Sequence, residues 1–364
     1  MNTTDGGEKK SHRGRGAVSN RASRFLEQVV ESCEDGWEAP DETAGPATRL
    51  HRDKARTVIT RNVSPDVPFE QSINPYRGCQ HGCSYCYARP THAYLDLSPG
   101  LDFETEIFYK PQAAERLRAE LAKPGYRPSP IALGANTDAY QPSERKLRIT
   151  RAIVELLHET RHPVVIITKS DLVLRDIDLL ADMARDRLAG VFLSVTTLDG
   201  ELARRMEPRA AAPHRRIEAV RQLSAAGVPT GVLVAPVVPG LNDNEIEAIL
   251  SAAASASAQR VGMILLRLPR EVEGIFTEWL HVHYPEKAQR VLSLVRQCRG
   301  GRLYDSGFGT RMRGTGPVAE LIRQRFAMAT RRLGLDGQER TWDLSTVCFR
   351  APEAQSRQMR LCFD

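Results

Sequence analysis

Long apolar runs are missing from this chain. No stretch of about 18 consecutive apolar residues occurs, so neither a membrane-spanning helix nor a membrane partner is expected. The opening MNTTDGGEKKSHRGRG lacks the apolar core of a signal peptide, which points to a cytoplasmic protein. Cysteine is scarce, seven in 364 residues, and three of the seven are crowded together. That distribution suits a reducing compartment and a metal site better than a disulfide framework. There is no internal repeat beyond an alternation of apolar runs. Gly307 to Gly316 (GFGTRMRGTG) looks superficially like a phosphate loop, but it follows no clear strand and lacks GK[ST].

What is present is a reasonable core and a basic balance. Hydrophobic residues make up 41% of the chain. The net charge of +6 and a pI near 9.0 leave DNA or RNA open as a partner class.

The densest feature is Ser72 to His92, SINPYRGCQHGCSYCYARPTH. Cys79, Cys83 and Cys86 are spaced CxxxCxxC, while Cys33, Cys298, Cys348 and Cys362 are scattered. Three thiolates in one short loop can converge on one metal centre. Gly78 and Gly82 flank the first two cysteines and free the backbone to turn tightly. A structural zinc ion usually takes four ligands, often as two separated pairs. Here there is one triplet, with His81 or His92 as the nearest candidates to complete it. A ferredoxin-type cluster takes four cysteines. Three would leave one iron of a [4Fe–4S] cluster without a protein ligand, and an open metal position is where chemistry happens.

Residues 1–60 read as a disordered or loosely docked tail, with a basic half (Lys9 to Arg24) followed by an acidic run (Glu27 to Glu42). Phe25, Leu26, Val29 and Val30 would form one helical turn docked on the body. Residues 61–270 alternate apolar β-branched runs with amphipathic helical patterns. The runs are Ile131 to Asn136, Pro163 to Thr168, Val191 to Thr196, Thr230 to Val237 and Val261 to Leu266. An extended segment entering the cysteine loop makes a sixth. Helices are expected over Leu147 to Thr160, Asp171 to Arg187, Pro213 to Ala226 and Asn244 to Ala254. This is an α/β pattern of parallel βα units, in a barrel or an open sheet. Either fold gathers functional groups at the C-terminal ends of its strands. The polar residues there are Asn136, Thr137 and Asp138, then Thr168, Lys169 and Ser170, then Ser194, Thr196 and Thr197, then Arg267. Residues 271–364 read as a mostly helical C-terminal extension.

The motif CxxxCxxC with Tyr85 before the last cysteine resembles the signature of radical S-adenosylmethionine (SAM) enzymes. The block NPYRGCQHGCSYCYARPTH followed by SPGLDFETEIFYKP looks like a subgroup related to spore photoproduct lyase. The resemblance implies a partial (β/α)6 barrel. It implies a [4Fe–4S] cluster on Cys79, Cys83 and Cys86, with SAM on the remaining iron. It implies one electron from a donor such as flavodoxin or ferredoxin, and abstraction of a hydrogen atom from a substrate. On the same footing Tyr85 would lie by the adenine, Thr137 would help hold the methionyl end, Lys169 and Ser194 would contact SAM, and the fifth strand would border the adenine. The charges agree: Lys169 suits a carboxylate and Asp138 an ammonium.

Each of these residues also has a plainer reading. Lys169 can pair with a neighbouring acid, Asp138 can cap a turn, and Ser194 can satisfy the strand backbone. The lyase has a hydrogen-returning cysteine where this chain reads Ala135, Asn136, Thr137, so repair of DNA photodimers is not expected. Cys298 reads as a buried thiol. Arg209, Arg215, Arg216, Arg267 and the arginines from 311 to 332 are candidates for a polyanion face. The rival functions are a non-catalytic iron–sulfur protein that binds nucleic acid or senses redox state, and a zinc protein.

Overall fold

The valine- and isoleucine-rich runs form strands close to where they are expected. The computed structural model describes residues 11–25, 46–336 and 343–353. In chain order its strands are β1 (Arg49–Arg52), β2 (Ile59–Arg61), β3 (Gln71–Ile73), β4 (Tyr76–Arg77), β5 (Glu106–Tyr109), β6 (Ile131–Leu133), β7 (Val164–Thr168), β8 (Ala189–Ser194), β9 (Thr230–Val237) and β10 (Arg260–Leu265).

Seven strands form the main sheet, in the order β10-β9-β8-β7-β6-β3-β2. From β3 to β10 the six neighbours are parallel, and β2 runs antiparallel at the edge. The two edges do not pair, so this is a partial (β/α)6 barrel. A second small sheet, β1-β5-β4, stands beside it.

Alternation along the strands sorts their side chains. Val164 and Ile166 on β7, Val191 and Leu193 on β8, and Val232 and Val234 on β9 are fully buried against the helices. Each such side chain contributes about 1.5–3 kcal/mol of burial. The alternate residues line the concave side. Val165, Ile167 and Leu233 are half-buried there, and the Phe192 ring lies where a Cβ on Gly231 would stand, 2.3 Å away.

The helices also follow expectation, with local breaks. The span predicted from Leu147 divides at Arg148, which has φ 51, leaving the main helix at Ile149–Glu159. The span from Asp171 opens with a 3-10 turn before helix Ile177–Arg185. Helix Pro213–Ala225 ends before Gly227, as the sequence suggests.

Beyond β10 lie helices Glu271–His283, Pro285–Gln297 and Gly316–Arg332. The arginine- and glycine-rich stretch between the last two is a strap rather than a phosphate loop. Leu265 N–H on β10 donates to Met312 O at 2.9 Å. At the other end Gly309 N–H donates to Asp66 at 2.7 Å, and Arg311 pairs with the same carboxylate. The extension therefore spans the gap between the two unpaired edges.

The N-terminal expectation needs correcting over residues 11–25. They are packed on the body, because Arg15 to Val18 find buried polar and apolar partners there. The acidic run, with Leu26, Val29 and Val30, lies outside the described residues. No helix among the described residues is long and apolar enough to cross a membrane.

Candidate active site

The cysteine loop is launched from the small sheet. β4 pairs antiparallel with β5, Tyr76 opposite Tyr109 and Arg77 opposite Phe108. Gly78 (φ 78) and Gly82 (φ 68) then take left-handed conformations that other residues resist. Cys79 N–H donates to Phe103 O at 2.9 Å and Ser84 N–H to Met206 O at 3.0 Å, fixing the loop to both neighbours. Cys79 and Cys83 are buried and Cys86 is half-buried, all as free thiols. Burial and then the Glu207 carboxylate push the Cys83 thiol well above its ordinary value. Burial and then Cys79 raise Cys86 to about 11. In the metal-free chain the Cys83 and Cys86 sulfurs hold protons that a metal must displace.

Arg89 supports the loop from behind. Its fully buried guanidinium donates to Cys83 O (2.9 Å), Gly82 O (3.3 Å), Pro99 O (3.0 Å), Gly100 O (2.7 Å) and Glu104 Oε1 (2.5 Å). Glu104 also accepts from the backbone of Gly16 (3.0 Å) and Ala17 (2.8 Å). A Cβ at Gly16 would stand 1.6 Å from Gly82 O, so the N-terminal segment lies directly on the loop.

On the barrel side a second carboxylate organises the site. Glu207, fully buried, accepts from Tyr85 OH, from Thr196 Oγ1 (2.5 Å) and from Arg216 Nη2. Lys169 Nζ stands 3.5 Å from it, donates to Ala235 O at 3.2 Å and sits 5.8 Å from the centre of the Tyr85 ring. Burial alone would raise this carboxyl, but Arg216 and Lys169 hold it down at about 2. Arg216 Nη1 reaches Ser194 O at 3.0 Å. The Ser194 hydroxyl, on the concave side with Phe192, has no hydrogen-bond partner among the described residues.

Thr137 and Asp138 are engaged elsewhere. Thr137 Oγ1 donates to Tyr76 O at 2.8 Å. Asp138 accepts from Thr168 Oγ1 (2.7 Å), Lys169 N–H (2.7 Å) and Tyr140 N–H (2.9 Å), with His81 Nδ1 at 3.3 Å. Burial would raise this carboxyl too, yet His81 and these donors hold it at about 2. Asp138 thus ties the β6 and β7 ends to the cysteine loop.

The mouth of the barrel is crossed by Tyr87. Its hydroxyl donates to Ala135 O, and the Arg267 guanidinium lies 5.3 Å from its ring centre. Tyr87 is 47% exposed, and Arg267 Nε is buried without a hydrogen-bond partner. Cys298 lies buried in the core. A cleft of about 600 Å³ lies elsewhere, along the β2 edge from Arg61 to Glu70.

Residues 73–253 match the radical SAM superfamily. An uncharacterised protein of Mycobacterium tuberculosis is 36% identical over 75% of this chain and 77% of its own length. The chain belongs to the radical SAM superfamily. An uncharacterised protein of Methanocaldococcus jannaschii is 29% identical over 53% of the chain and 69% of its own. In fold the chain is similar to a variant of spore photoproduct lyase, with a TM-score of 0.56, 16% identity and coverage of 79% and 80%. A second variant, with bound AdoMet and dinucleoside spore photoproduct, gives 0.55 at 16% identity and 79% of each chain.

A radical SAM protein is an enzyme that uses a [4Fe–4S] cluster and SAM. The donor set here fits such a cluster, with three free thiols in one loop at the C-terminal face. A zinc ion gathers its ligands round one centre, whereas in a four-iron cluster each thiolate takes a separate iron. His81 faces Asp138, and His92 Nε2 is bonded to Glu106 O at 3.0 Å.

The sequence reading missed Glu207, Glu104 and Arg89; Tyr85 lies 122 positions from Glu207 and Gly16 lies 88 from Glu104, while the bonds of Arg89 run to loop carbonyls that follow no helical or strand spacing. It offered Arg216 as a candidate for a polyanion face, with a solvated surface as the plainer reading, but Arg216 is buried and bound to Glu207. Arg325 pairs with Glu247 and Arg311 with Asp66, so these arginines form no single free face.

Proposed function

We propose that this enzyme holds a [4Fe–4S] cluster on Cys79, Cys83 and Cys86 and acts on an anionic substrate bearing a flat ring, a nucleotide or nucleic acid. The observation that carries the site reading is the single loop of three free thiols at the strand ends, facing the concave wall of the barrel. When bound, the reduced cluster supplies reductive cleavage of SAM and with it a radical able to abstract hydrogen. The chain's own residues do the rest. Lys169 and Ser194 face SAM, one as a cation and one as a free hydroxyl. Tyr85, held by Glu207, has its ring beside Lys169 and borders the same space. Asp138 and Thr137 act as clamps that fix the loop against the strand ends, because their polar atoms are already engaged. Val165, Ile167, Phe192 and Leu233 exclude water from the concave wall.

Tyr87 and Arg267 support the substrate class. An exposed ring stacked under a guanidinium with an unpartnered N–H suits a base and a phosphate. Cysteine-dependent repair of photodimers is no part of the proposal, since Ala135, Asn136 and Thr137 offer no thiol where the resemblance would place one.

Deuterium transfer from candidate nucleotides into 5′-deoxyadenosine tests the substrate class. Label transfer from a nucleotide, lost in Arg267→Gln while uncoupled SAM cleavage persists, is the expected outcome. Transfer from uncharged substrates alone overturns it.

A further inference from the structure

We infer that an acidic one-electron carrier docks on the arginine-rimmed cleft beside His81. This rests on the radical SAM reading above, which requires an electron to reach the cysteine loop.

The loop has three flanks. Its Tyr85 side faces the barrel, which must hold SAM and substrate. Its Gly82 side is covered by Gly16. Its His81 side opens into a cleft of about 210 Å³, lined by Arg145, Arg209 and Arg215 together with Tyr140, Ser170 and His81.

His81 lies between Cys79 and Cys83 in sequence, and its carbonyl accepts the Arg209 N–H at 3.3 Å. The floor of the cleft is thus the cysteine loop itself. Among the described residues the rim is positive and largely uncompensated. Asp171, 3.5 Å from Arg215, offsets one charge. Arg145 and Arg209 have no acidic partner among the described residues, although Arg209 donates to Thr48 Oγ1 at 3.2 Å. Beneath them Arg15 is driven below its ordinary pKa by burial and then by the Arg209 charge.

Such a rim steers an acidic partner by long-range attraction and leaves a salt-dependent association rate. The step is one electron: the reduced carrier loses it, the cluster gains it, and no proton or bond moves with it.

The test uses the reconstituted full-length chain and flavodoxin hydroquinone as probe. Arg145→Glu/Arg215→Glu reverses two exposed rim charges outside the catalytic machinery. Three quantities are measured: flavodoxin affinity against salt, the rate of flavin semiquinone appearance on mixing, and 5′-deoxyadenosine yield with dithionite. The inference predicts about tenfold weaker binding and slower electron transfer at low salt, a difference that shrinks at high salt, and an unchanged dithionite-driven yield. The Lys-for-Arg pair at the same positions retains most of the wild-type rate.

Unchanged flavodoxin affinity and rate in a folded Glu variant overturn the inference. So does loss of binding to labelled single-stranded DNA with flavodoxin unaffected, which assigns the cleft to nucleic acid. Absence of 5′-deoxyadenosine in the wild type with dithionite instead overturns the underlying radical SAM reading.

Discussion

Two buried carboxylate–guanidinium pairs flank the cysteine loop, and they are put to different uses. Glu104 with Arg89 lies behind the loop; Glu207 with Arg216 lies on its barrel side. Both pairs are desolvated, so neither is a strong source of stability in itself. Their remaining hydrogen bonds differ. Glu104 accepts from the backbone of Gly16 and Ala17, and Arg89 donates to five acceptors that include the carbonyls of Gly82 and Cys83. That pair fixes the shape of the chain. Glu207 accepts from side chains, Tyr85 and Thr196, and attracts Lys169. That pair fixes the pose of groups facing the reaction space. One sets where the sulfurs are, the other what they look out on.

The largest expected effect removes what both pairs serve. Cys79→Ala, Cys83→Ala or Cys86→Ala should abolish 5′-deoxyadenosine formation and the brown absorbance of the reconstituted protein. Full activity in any of them removes that cysteine from the ligand set.

Glu207→Gln comes next. It should lower kcat/KM for SAM by about ten- to a hundredfold, roughly the loss of one charge-assisted contact, while residues 11–25 stay protected. Glu104→Gln should do the reverse. It leaves Arg89 uncompensated in the interior, costs about 3 kcal/mol in urea unfolding and exposes residues 11–25 to limited proteolysis. Equal effects of the two variants on both readouts would erase the distinction drawn here.

Acid should not act through Glu207 in the mildly acidic range, since that carboxylate stays ionised down to about pH 2. The buried histidines act instead. Burial holds His162 and His92 at about 4, against an ordinary 6.5. Between those values the unfolded chain binds protons that the folded chain refuses. The contribution of these two histidines is therefore complete above about pH 6.5 and is lost as the pH drops toward 4, by about 3 kcal/mol for each. Urea unfolding at pH 7 and pH 5 measures the slope, and His162→Gln should remove its share.

The smallest effect is local. Gly16→Val forces the N-terminal segment off Gly82 and should increase proteolysis of residues 11–25 while the fold of the barrel is retained.

Much of this was legible in the sequence, where the signal was local. The β-branched runs and the CxxxCxxC spacing each lie within a few residues, so strands, face and candidate ligands could be read directly. The capping role of Asp138 was among the alternatives for the same reason, since Tyr140 is two residues away. Glu104 meets Gly16 across 88 positions and Asp66 meets Arg311 across 245, and no local pattern announces either. Arg216 looked like a surface arginine because Glu207, nine residues earlier, lies outside its helix. The packed N-terminal segment was missed because it is polar. It is held by hydrogen bonds to one buried acid and by a glycine lying on a carbonyl, and neither leaves an apolar periodicity.

The most direct measurement is anaerobic. The full chain is reconstituted with iron and sulfide, reduced with dithionite and given SAM, and the products are resolved by chromatography. The account predicts an oxygen-sensitive cluster of four irons per chain and formation of 5′-deoxyadenosine and methionine. A fully loaded cluster that leaves SAM intact, or a chain that retains one tightly bound zinc and no iron, would contradict it.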